Sequence, residues 1–315
     1  MTAVPKTAAA PTAIDILEDE PLPPPQTPFR RFVSDFVESP LAVLGLIVFT
    51  IVLLIAILAP YLSPQNPYDL MQLDIMNGKL PPGSADMYGE MTFILGTDDQ
   101  GRDLLSGIFY GLRISLFVGV ASAFISLIIG AAVGLFAAYA GGRWDSFLMR
   151  IVDIQLSFPA ILIALILLAV LGQGIDKIIV ALVVTQWAYY ARTVRGSALI
   201  ERSKEYIEAA HCLGLGTKRI IFGHLLPNCM PPLIVVVTMR VAYAVMLEAT
   251  LSFLGMGLPI TEPSLGLLIS NGFEYMLSGK YWISFFPGLA LLITIVSINL
   301  VGDHMRDILN PRLQR

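Results

Sequence analysis

Charged residues are scarce in this chain. They make up 14% of its 315 residues, against 56% hydrophobic residues, and the mean hydropathy is +0.73. Soluble domains carry about 25% charged residues, so this composition excludes an ordinary soluble domain and predicts an integral membrane protein. The net charge of −4 provides no basic surface of the kind that binds nucleic acid.

Residues that bind metals or nucleotides are also few. Neither Cys212 nor Cys229 has a second cysteine or histidine at zinc-finger spacing, so we expect no metal and no cofactor. The phosphate-binding pattern G-x-x-x-x-G-K-[ST] is missing, because Glu274 stands where the first glycine before Gly279 would be. The sequence contains no pair of catalytic groups of the kind that would indicate an enzyme. Any use of ATP by this chain therefore requires a partner that binds it.

Long apolar runs are what the chain has in abundance. A helix needs about 20 apolar residues to cross the hydrocarbon core of a membrane. The predicted spans are 41–62, 114–140, 151–171, 178–190, 233–254 and 282–301. The fourth is short but can continue to Thr193. The sequence therefore predicts an all-α membrane protein with six transmembrane helices, in which the helix 41–62 precedes a five-helix core at 113–302.

The distribution of basic residues predicts the orientation. Six spans put both termini on one side, and most Lys and Arg residues lie on that side. The other side carries only Lys79, Arg102, Arg113, Lys177 and Lys280. By the positive-inside rule, both termini are cytosolic. The predicted segments outside the membrane are a disordered cytosolic tail at 1–40, an extracytoplasmic loop at 63–112, a cytosolic loop at 192–230 and a cytosolic tail at 303–315.

The loop 192–230 carries helix signals that a plain connection would not need. Ser203 is expected to cap a short helix, and Gly214 and Gly216 supply the positive φ angles that end it. A second short helix, 218–226, is expected to stop at Pro227. The predicted apolar stripe of the first helix consists of Tyr206, Ile207, Ala210 and Leu213.

The first of these short helices has two possible uses. Glu208 lies on the flank of the stripe, where it can pair with a basic group, and Ala209 and Ala210 leave room for another backbone. Such a helix can lie on lipid, with help from neighbouring basic residues, or dock into a groove of another protein. The stripe is short and poor in large side chains, which favours docking.

Three ionisable residues fall within predicted spans. A charge near the middle of a span costs roughly 2.5–3.5 kcal/mol, so Asp153, Arg240 and Glu248 should face protein or water. Arg240 and Glu248 are about two turns apart and cannot pair directly. We expect both to lie on a translocation path, where Arg240 attracts a carboxylate or carbonyl; a structural bond to a partner is the alternative for Arg240. Asp153 is expected to pair with Arg150 or Arg192.

The loop 63–112 contains a second cluster of carboxylates. Asp98 and Asp99 invite comparison with a calcium loop, but position twelve counted from Asp98 is Phe109, so the required Glu is missing. We expect Asp98 or Asp99 to cap a short helix that leads into the second span.

The loop 192–230 resembles the EAA loop of ABC importer permeases. That family's pattern reads E-A-A-x-x-x-G, nine residues, then I-x-L-P. Its matching residues here are Glu208, Ala209, Ala210, Gly214, Leu226 and Pro227. His224 replaces the Ile, and a His followed by Leu-Pro-Asn is similar to the dipeptide/oligopeptide/nickel branch. Further sequence segments are similar to that branch. They are Leu95–Asp98, Arg150–Asp153, Leu247–Gly255 and Asn299–Asp303.

The resemblance implies a C-type permease subunit with the type I ABC importer architecture, in the bacterial inner membrane. It implies a heterodimer with a B-type permease, two cytosolic ATPases and an extracytoplasmic solute-binding protein. The expected coupling residues toward an ATPase are Tyr206, Ile207, Glu208, Ala209, Ala210, Leu213, Gly214 and Pro227.

The cargo implied by the resemblance is a dipeptide or oligopeptide, with nickel, glutathione or another small solute as alternatives. An ion-coupled secondary transporter is the alternative from another class. Such a transporter would need no docking loop, and its inverted repeats are not visible in this sequence.

Overall fold

The computed structural model describes residues 28–69, 73–89, 91–259 and 261–309, and these are mostly helical. The first helix, α1, spans Pro28–Val37 and lies within the segment predicted as a disordered tail. It is ordered by contacts with the far end of the chain: the Phe36 and His304 rings are 5.3 Å apart. The prediction of disorder is therefore wrong for α1, and residues 1–27 lie outside the described residues.

The long helices follow from the apolar runs. Helix α2 matches the predicted first span to within one residue, and the Ser39 hydroxyl accepts a hydrogen bond from the Ala42 N–H to cap it. Helix α3 begins at Leu104 rather than at residue 114. The bounds of the long helices are α2 Pro40–Leu62, α3 Leu104–Ala140, α6 Ile175–Arg202, α9 Leu226–Phe253 and α11 Trp282–Leu309.

The predicted third span is broken. It divides into α4, Gly142–Ser157, and α5, Ala160–Leu171, which meet at an angle of 89°. The bend lies at Phe158-Pro159, where Phe158 is extended with φ −94° and ψ 143°. The residue before a proline is sterically pushed out of the helical region, which explains the break.

By length and composition, four helical segments of the described chain can cross a membrane, or five if the bent pair α4–α5 counts as one span. Helix α6, the predicted fourth span, is not among them. It continues to Arg202, and its second half carries Arg192 and Arg195, so its average hydropathy is low. Residues 192–202 thus extend α6, and the predicted loop 192–230 begins only at Ser203.

Helices α3 and α6 pack closely against each other at two glycines of α3. A Cβ atom at Gly130 would lie 2.5 Å from the Trp187 carbonyl oxygen, and one at Gly134 would lie 2.5 Å from the Ala191 carbonyl oxygen. Only glycine permits the two backbones to approach this closely.

Short helices complete the chain at the two ends of the bundle. They are α7 Glu205–Cys212, α8 Thr217–Ile220 and α10 Leu265–Phe273, with a π-helical turn at Ile221–Leu225. The helix expected to stop at Pro227 does not stop there. The Leu226 N–H bonds to the Ile221 carbonyl in the π turn, and Pro227 becomes the second residue of α9, where a missing N–H is tolerated. Helix α11 likewise runs through residues 303–309, which were predicted as a tail.

The segment between α2 and α3 has a small amount of β structure. Strands β1, Ser84–Ala85, and β2, Thr92–Phe93, form an antiparallel hairpin, and a 3₁₀ turn covers Ile75–Asn77. The cap of α3 is Asp103, whose carboxylate accepts the Ser106 N–H at 2.8 Å. The expectation that Asp98 or Asp99 caps this helix is wrong. The end of the bundle that carries the described residues between 63 and 103 is called the loop face, and the opposite end is called the α7 face.

Candidate coupling surface and membrane charges

Helix α7 begins one residue later than predicted. The Ser203 hydroxyl donates to the Ile200 carbonyl at 2.8 Å, so Ser203 closes α6 instead of capping α7. Lys204 occupies the N-cap position without a side-chain hydrogen bond to the helix. Glu205 and Glu208 in the first turn are favourable next to the positive end of the helix dipole.

A complete Schellman motif ends α7. Gly214 has φ +69°, as predicted, and its N–H donates to the His211 carbonyl at 3.0 Å. The Leu215 N–H donates to the Ala210 carbonyl at 3.1 Å. Gly216 is different: its φ is −63°, so the predicted positive φ is wrong there. The chain therefore reverses at one glycine and not at two.

The underside of α7 is anchored in the bundle by apolar contacts. Ile207 is 1% exposed, and Ala210 is buried beside it. They belong to one hydrophobic cluster with residues of α3, α6, α8, the π turn and α9: Leu135, Ala138, Tyr190, Val194, Ala198, Ile220, Leu225, Cys229 and Leu233. This cluster joins α7 to three long helices at once.

The other side of α7 is open. Leu213 is 78% exposed, and Glu208 and Ala209 are exposed on the same helix. Within the described part of the chain, Glu208 forms no ion pair. The predicted stripe of four residues is therefore divided, because Ile207 and Ala210 face the bundle whereas Tyr206 and Leu213 do not. Pro227 is also exposed, at the start of α9.

A polar network beside α7 explains the position of Tyr206. Its hydroxyl donates to Glu201 Oε2 at 2.6 Å and accepts from Asn228 Nδ2 at 3.2 Å, while Lys204 Nζ contacts Glu201 Oε1 at 2.6 Å. Burial and the bond to the Glu201 carboxylate raise the pKa of Tyr206 to about 12. The sequence pattern did not predict this network: Glu201 lies outside the family pattern, and Asn228 stands in the Leu-Pro-Asn motif without any contact assigned to it.

Further hydrogen bonds tie this region to the end of α3. Arg202 Nη1 donates to the Ala138 carbonyl at 2.7 Å, and the hydroxyls of Tyr139 and Thr217 are 3.0 Å apart. An arginine at a helix C-terminus satisfies carbonyls that lack helical partners. Helices α3, α6, α7 and α9 are thus fastened to each other at the α7 face.

Glu248 is enclosed within the bundle. It is 0% exposed, and its two carboxylate oxygens accept hydrogen bonds from Ser115 Oγ of α3 at 2.7 Å and Ser252 Oγ of α9 at 2.8 Å. A side chain with no accessible surface does not fit the wall of a path in this conformation. Its role here is to bridge α3 and α9.

Arg240 has separate surroundings. Its guanidinium carbon lies 3.4 Å from the ring centroid of Tyr189 on α6 and 5.4 Å from that of Tyr243. Stacking on aromatic rings stabilises a cation of this kind. No described carboxylate forms an ion pair with Arg240. The prediction that Arg240 and Glu248 do not pair is confirmed.

Four of the remaining charged residues form two ion pairs near the α7 face. Arg192 Nη2 contacts Asp153 Oδ1, as one of the two predicted pairings, and Arg195 binds Asp145 in bidentate geometry with both contacts at 2.6 Å. Among the described residues, no group of three or more His, Cys, Asp or Glu side chains is arranged to hold a metal.

Comparison with known proteins identifies the family. The profile of the binding-protein-dependent transport system inner membrane component matches residues 130–315, more than half of the chain. The chain belongs to this family. A second profile, the N-terminal TM domain of oligopeptide transport permease C, matches residues 27–82.

Several bacterial family members are similar over most of their length. The dipeptide transport system permease protein DppC of Haemophilus influenzae is 36% identical over 95% of this chain and 100% of its own. DppC of Escherichia coli is 39% identical over 93% and 96%. The oligopeptide transport system permease protein OppC of Bacillus subtilis is 38% identical over 89% and 88%.

The fold is shared with solved importer structures. Two inward-facing forms of the MetNI methionine ABC transporter align with TM-scores of 0.51 and 0.53 at 24% identity, and they cover 64% and 66% of this chain and 94% and 96% of theirs. The predicted type I ABC importer fold is thereby confirmed. As a permease of this family, the chain is an integral membrane protein that works with ATPase and binding-protein partners. The sides on which its termini lie stay a prediction.

Proposed function

We propose that this chain is the C-type permease subunit of an ATP-driven importer that moves dipeptides or oligopeptides across the bacterial inner membrane. This cargo is supported by relatives that are 36–39% identical to this chain and are named as dipeptide and oligopeptide permeases. In this proposal both termini are cytosolic, and the α7 face is the cytosolic end. The chain itself catalyses no reaction, and the partner ATPases hydrolyse ATP.

The observation that carries the mechanism is the two-sided construction of α7. Its underside is locked into the bundle by Ile207 and Ala210, and its other side presents Glu208, Ala209 and Leu213 to the surroundings. In the proposed complex, this open side docks into a cleft of one ATPase. Gly214 ends the helix abruptly, so the docked element is short and stiff.

Movement of an ATPase would then be transmitted directly to the bundle. Helix α7 shares one apolar cluster with α3, α6 and α9 and is joined to them by Arg202 and Tyr206 hydrogen bonds. A displacement of α7 cannot be absorbed by a flexible linker, because these contacts surround it. Closure of the ATPase pair would rock the two permeases between inward- and outward-facing states.

The remaining partners complete the importer. A B-type permease forms the other half of the path, two ATPases drive it, and an extracytoplasmic solute-binding protein delivers the peptide at the loop face. Arg240 is proposed to line the path, since its cation lacks a described carboxylate partner and is held only by tyrosine rings. We assign Glu248 a structural role instead, because Ser115 and Ser252 enclose it.

Co-purification combined with uptake tests the proposal. Leu213→Asp places a charge on the open side of α7, whereas Leu277→Asp, at a leucine that is 102% exposed near the loop face, is the matched control. With the tagged chain in its native membrane, we expect Leu213→Asp to lose the ATPases and uptake of a labelled dipeptide, and the control to keep both. Retention of ATPases and uptake by Leu213→Asp would contradict the coupling role.

The cargo is tested separately from the coupling. Membranes that contain the complete wild-type complex are supplied with labelled dipeptide, labelled tripeptide, nickel or glutathione. ATP-dependent uptake of peptides alone supports the proposal. Uptake of nickel or glutathione instead would keep the importer and replace its cargo, and uptake that needs an ion gradient but no ATP would favour a secondary transporter.

A further inference from the structure

An apolar groove opens on the outer surface of the bundle between α2 and α3. Its volume is about 750 Å³, and its walls include Leu53 and Ile57 of α2 with Phe117, Ala121 and Phe124 of α3. Several of these side chains are exposed, including Ile57, Phe117 and Phe124. The groove does not belong to the coupling surface or to the Arg240 site.

The groove is polar at one end only. Arg113 and Tyr68 line it at the loop face, where the Arg113 cation acts electrostatically on the Tyr68 phenol. The Glu262 carboxylate acts on the same phenol, but Arg113 forms no ion pair with it or with another described residue. An exposed cation without a carboxylate partner therefore stands at the mouth of an apolar cleft.

The length of the groove matches one leaflet of a bilayer. Arg113 and Phe124 lie on the same helix, and at a rise of about 1.5 Å per residue the distance between them is about 16 Å. The hydrocarbon core of a bilayer is about 30 Å thick, so one leaflet contributes about half of it. A partner helix that crosses the membrane would extend through both leaflets, whereas this groove ends near the middle.

We propose that the α2–α3 groove binds one anionic phospholipid from the leaflet at the loop face. An acyl chain would lie along Leu53, Ile57, Phe117 and Ala121, and the headgroup phosphate would accept hydrogen bonds from the Arg113 guanidinium and the Tyr68 hydroxyl. Anionic and zwitterionic headgroups both carry a phosphate that arginine binds through charge-assisted hydrogen bonds, but the Arg113 cation repels the ammonium group of a zwitterionic headgroup. The lipid would fill the space between α2 and the rest of the bundle.

Photo-crosslinking in bilayer discs tests the proposal on the full complex. The discs contain phosphatidylcholine with a small fraction of photoactivatable phosphatidylglycerol or, in a parallel sample, photoactivatable phosphatidylcholine. We expect the phosphatidylglycerol probe to label peptides of α2 and α3 that line the groove. Arg113→Gln should lower this labelling about tenfold, as expected for the loss of a charge-assisted hydrogen bond, and Ala121→Phe should lower it by filling the groove.

Two control variants accompany these changes. Arg143→Gln alters an exposed arginine near the α7 face, and Ala132→Phe alters an exposed alanine of α3 outside the groove; both should label as the wild type does. Thermal unfolding confirms that each variant is folded before labelling is compared. Unchanged labelling in Arg113→Gln and Ala121→Phe, equal labelling by the two probes, or no labelling of α2 and α3 by either probe would overturn the proposal.

Discussion

The two ends of the bundle are held together in different ways. At the loop face, buried polar side chains fasten the chain: Asp98 accepts the N–H groups of Gln100 and Arg102 at 2.8 Å each, and Thr97 bonds to Asn77 and Leu80. At the α7 face, apolar side chains around Ile207 anchor the short helix, and its polar residues point outward.

The difference shows where each end is free to interact. Directional hydrogen bonds to the buried Asp98 and Thr97 side chains hold the backbone of the described loop residues in place. The apolar anchor of α7 leaves the polar and apolar groups of its open side available to a partner. One end is therefore built as a fixed cap, and the other presents a surface on a rigid base.

Removal of the apolar anchor should have the largest effect. Ile207→Ala leaves a cavity in a cluster shared by α3, α6 and α9, and large-to-small changes of this kind cost about 2–5 kcal/mol of stability. Thermal unfolding in detergent measures the loss, and ATPase binding should fall with it. Leu213→Ala, on the open side, should leave stability unchanged. Equal stability of both variants would show that α7 is not anchored as described.

The pH dependence of stability should test the buried hydrogen bonds at the loop face. Burial raises the pKa of Asp98 from 3.8 to about 6. The folded state therefore binds a proton more tightly than the unfolded state, so stability from this group falls as the pH rises from about 4 to about 6 and is constant above. The change is on the order of 3 kcal/mol.

Asp98→Asn should remove most of that slope. Burial also raises the pKa of Asp103, so a smaller slope in the same direction should remain. Unfolding midpoints between pH 4 and pH 7 give the comparison between the wild type and the variant. The same slope in both proteins would mean that Asp98 is not the buried, titrating group.

The smallest expected effect is a difference in stability between substitutions at the two glycines after α7. Gly214→Ala places a side chain at φ +69° and should cost about 1 kcal/mol. Gly216→Ala, at φ −63° and with open space around it, should change stability by less than about 0.5 kcal/mol, because the lower chain entropy of alanine offsets its weaker N-cap preference. Unfolding of both variants measures the difference. If Gly216→Ala were the more harmful change, the reversal would not lie at Gly214.

Much of the bundle could be predicted because long apolar runs leave a chain few choices in a membrane. Helix α2 is uninterrupted in sequence and in structure. The break at Phe158-Pro159 was not predicted, because the continuous apolar run indicates one span although the residue before a proline is restricted to extended conformations. The predicted helix end at Pro227 was wrong because the π turn at Ile221–Leu225 leads directly into α9, and the helix continues past that proline.

The residues of the α7 coupling surface could be predicted from the sequence, but the directions in which their side chains point could not. The family pattern identified Glu208, Ala209 and Gly214, yet periodicity alone put Tyr206 and Leu213 on the same face as Ile207. Tyr206 is instead bonded to Glu201 of α6 and Asn228 of α9, which belong to other helices. The enclosure of Glu248 by Ser115 likewise depends on a residue of another helix. Contacts between helices cannot be derived from the sequence of one of them.

The native cysteines allow the most direct test of the coupling surface. Cys212 is exposed at the end of α7, whereas Cys229 is buried and serves as an internal control. A thiol-directed photo-cross-linker attached to Cys212 in native membranes should join this chain to a protein that carries the phosphate-binding pattern G-x-x-x-x-G-K-[ST]. In a second measurement, the assembled complex should protect Cys212 from a maleimide reagent. Cross-links to lipid alone, with equal maleimide labelling in the presence and absence of the ATPases, would contradict the account.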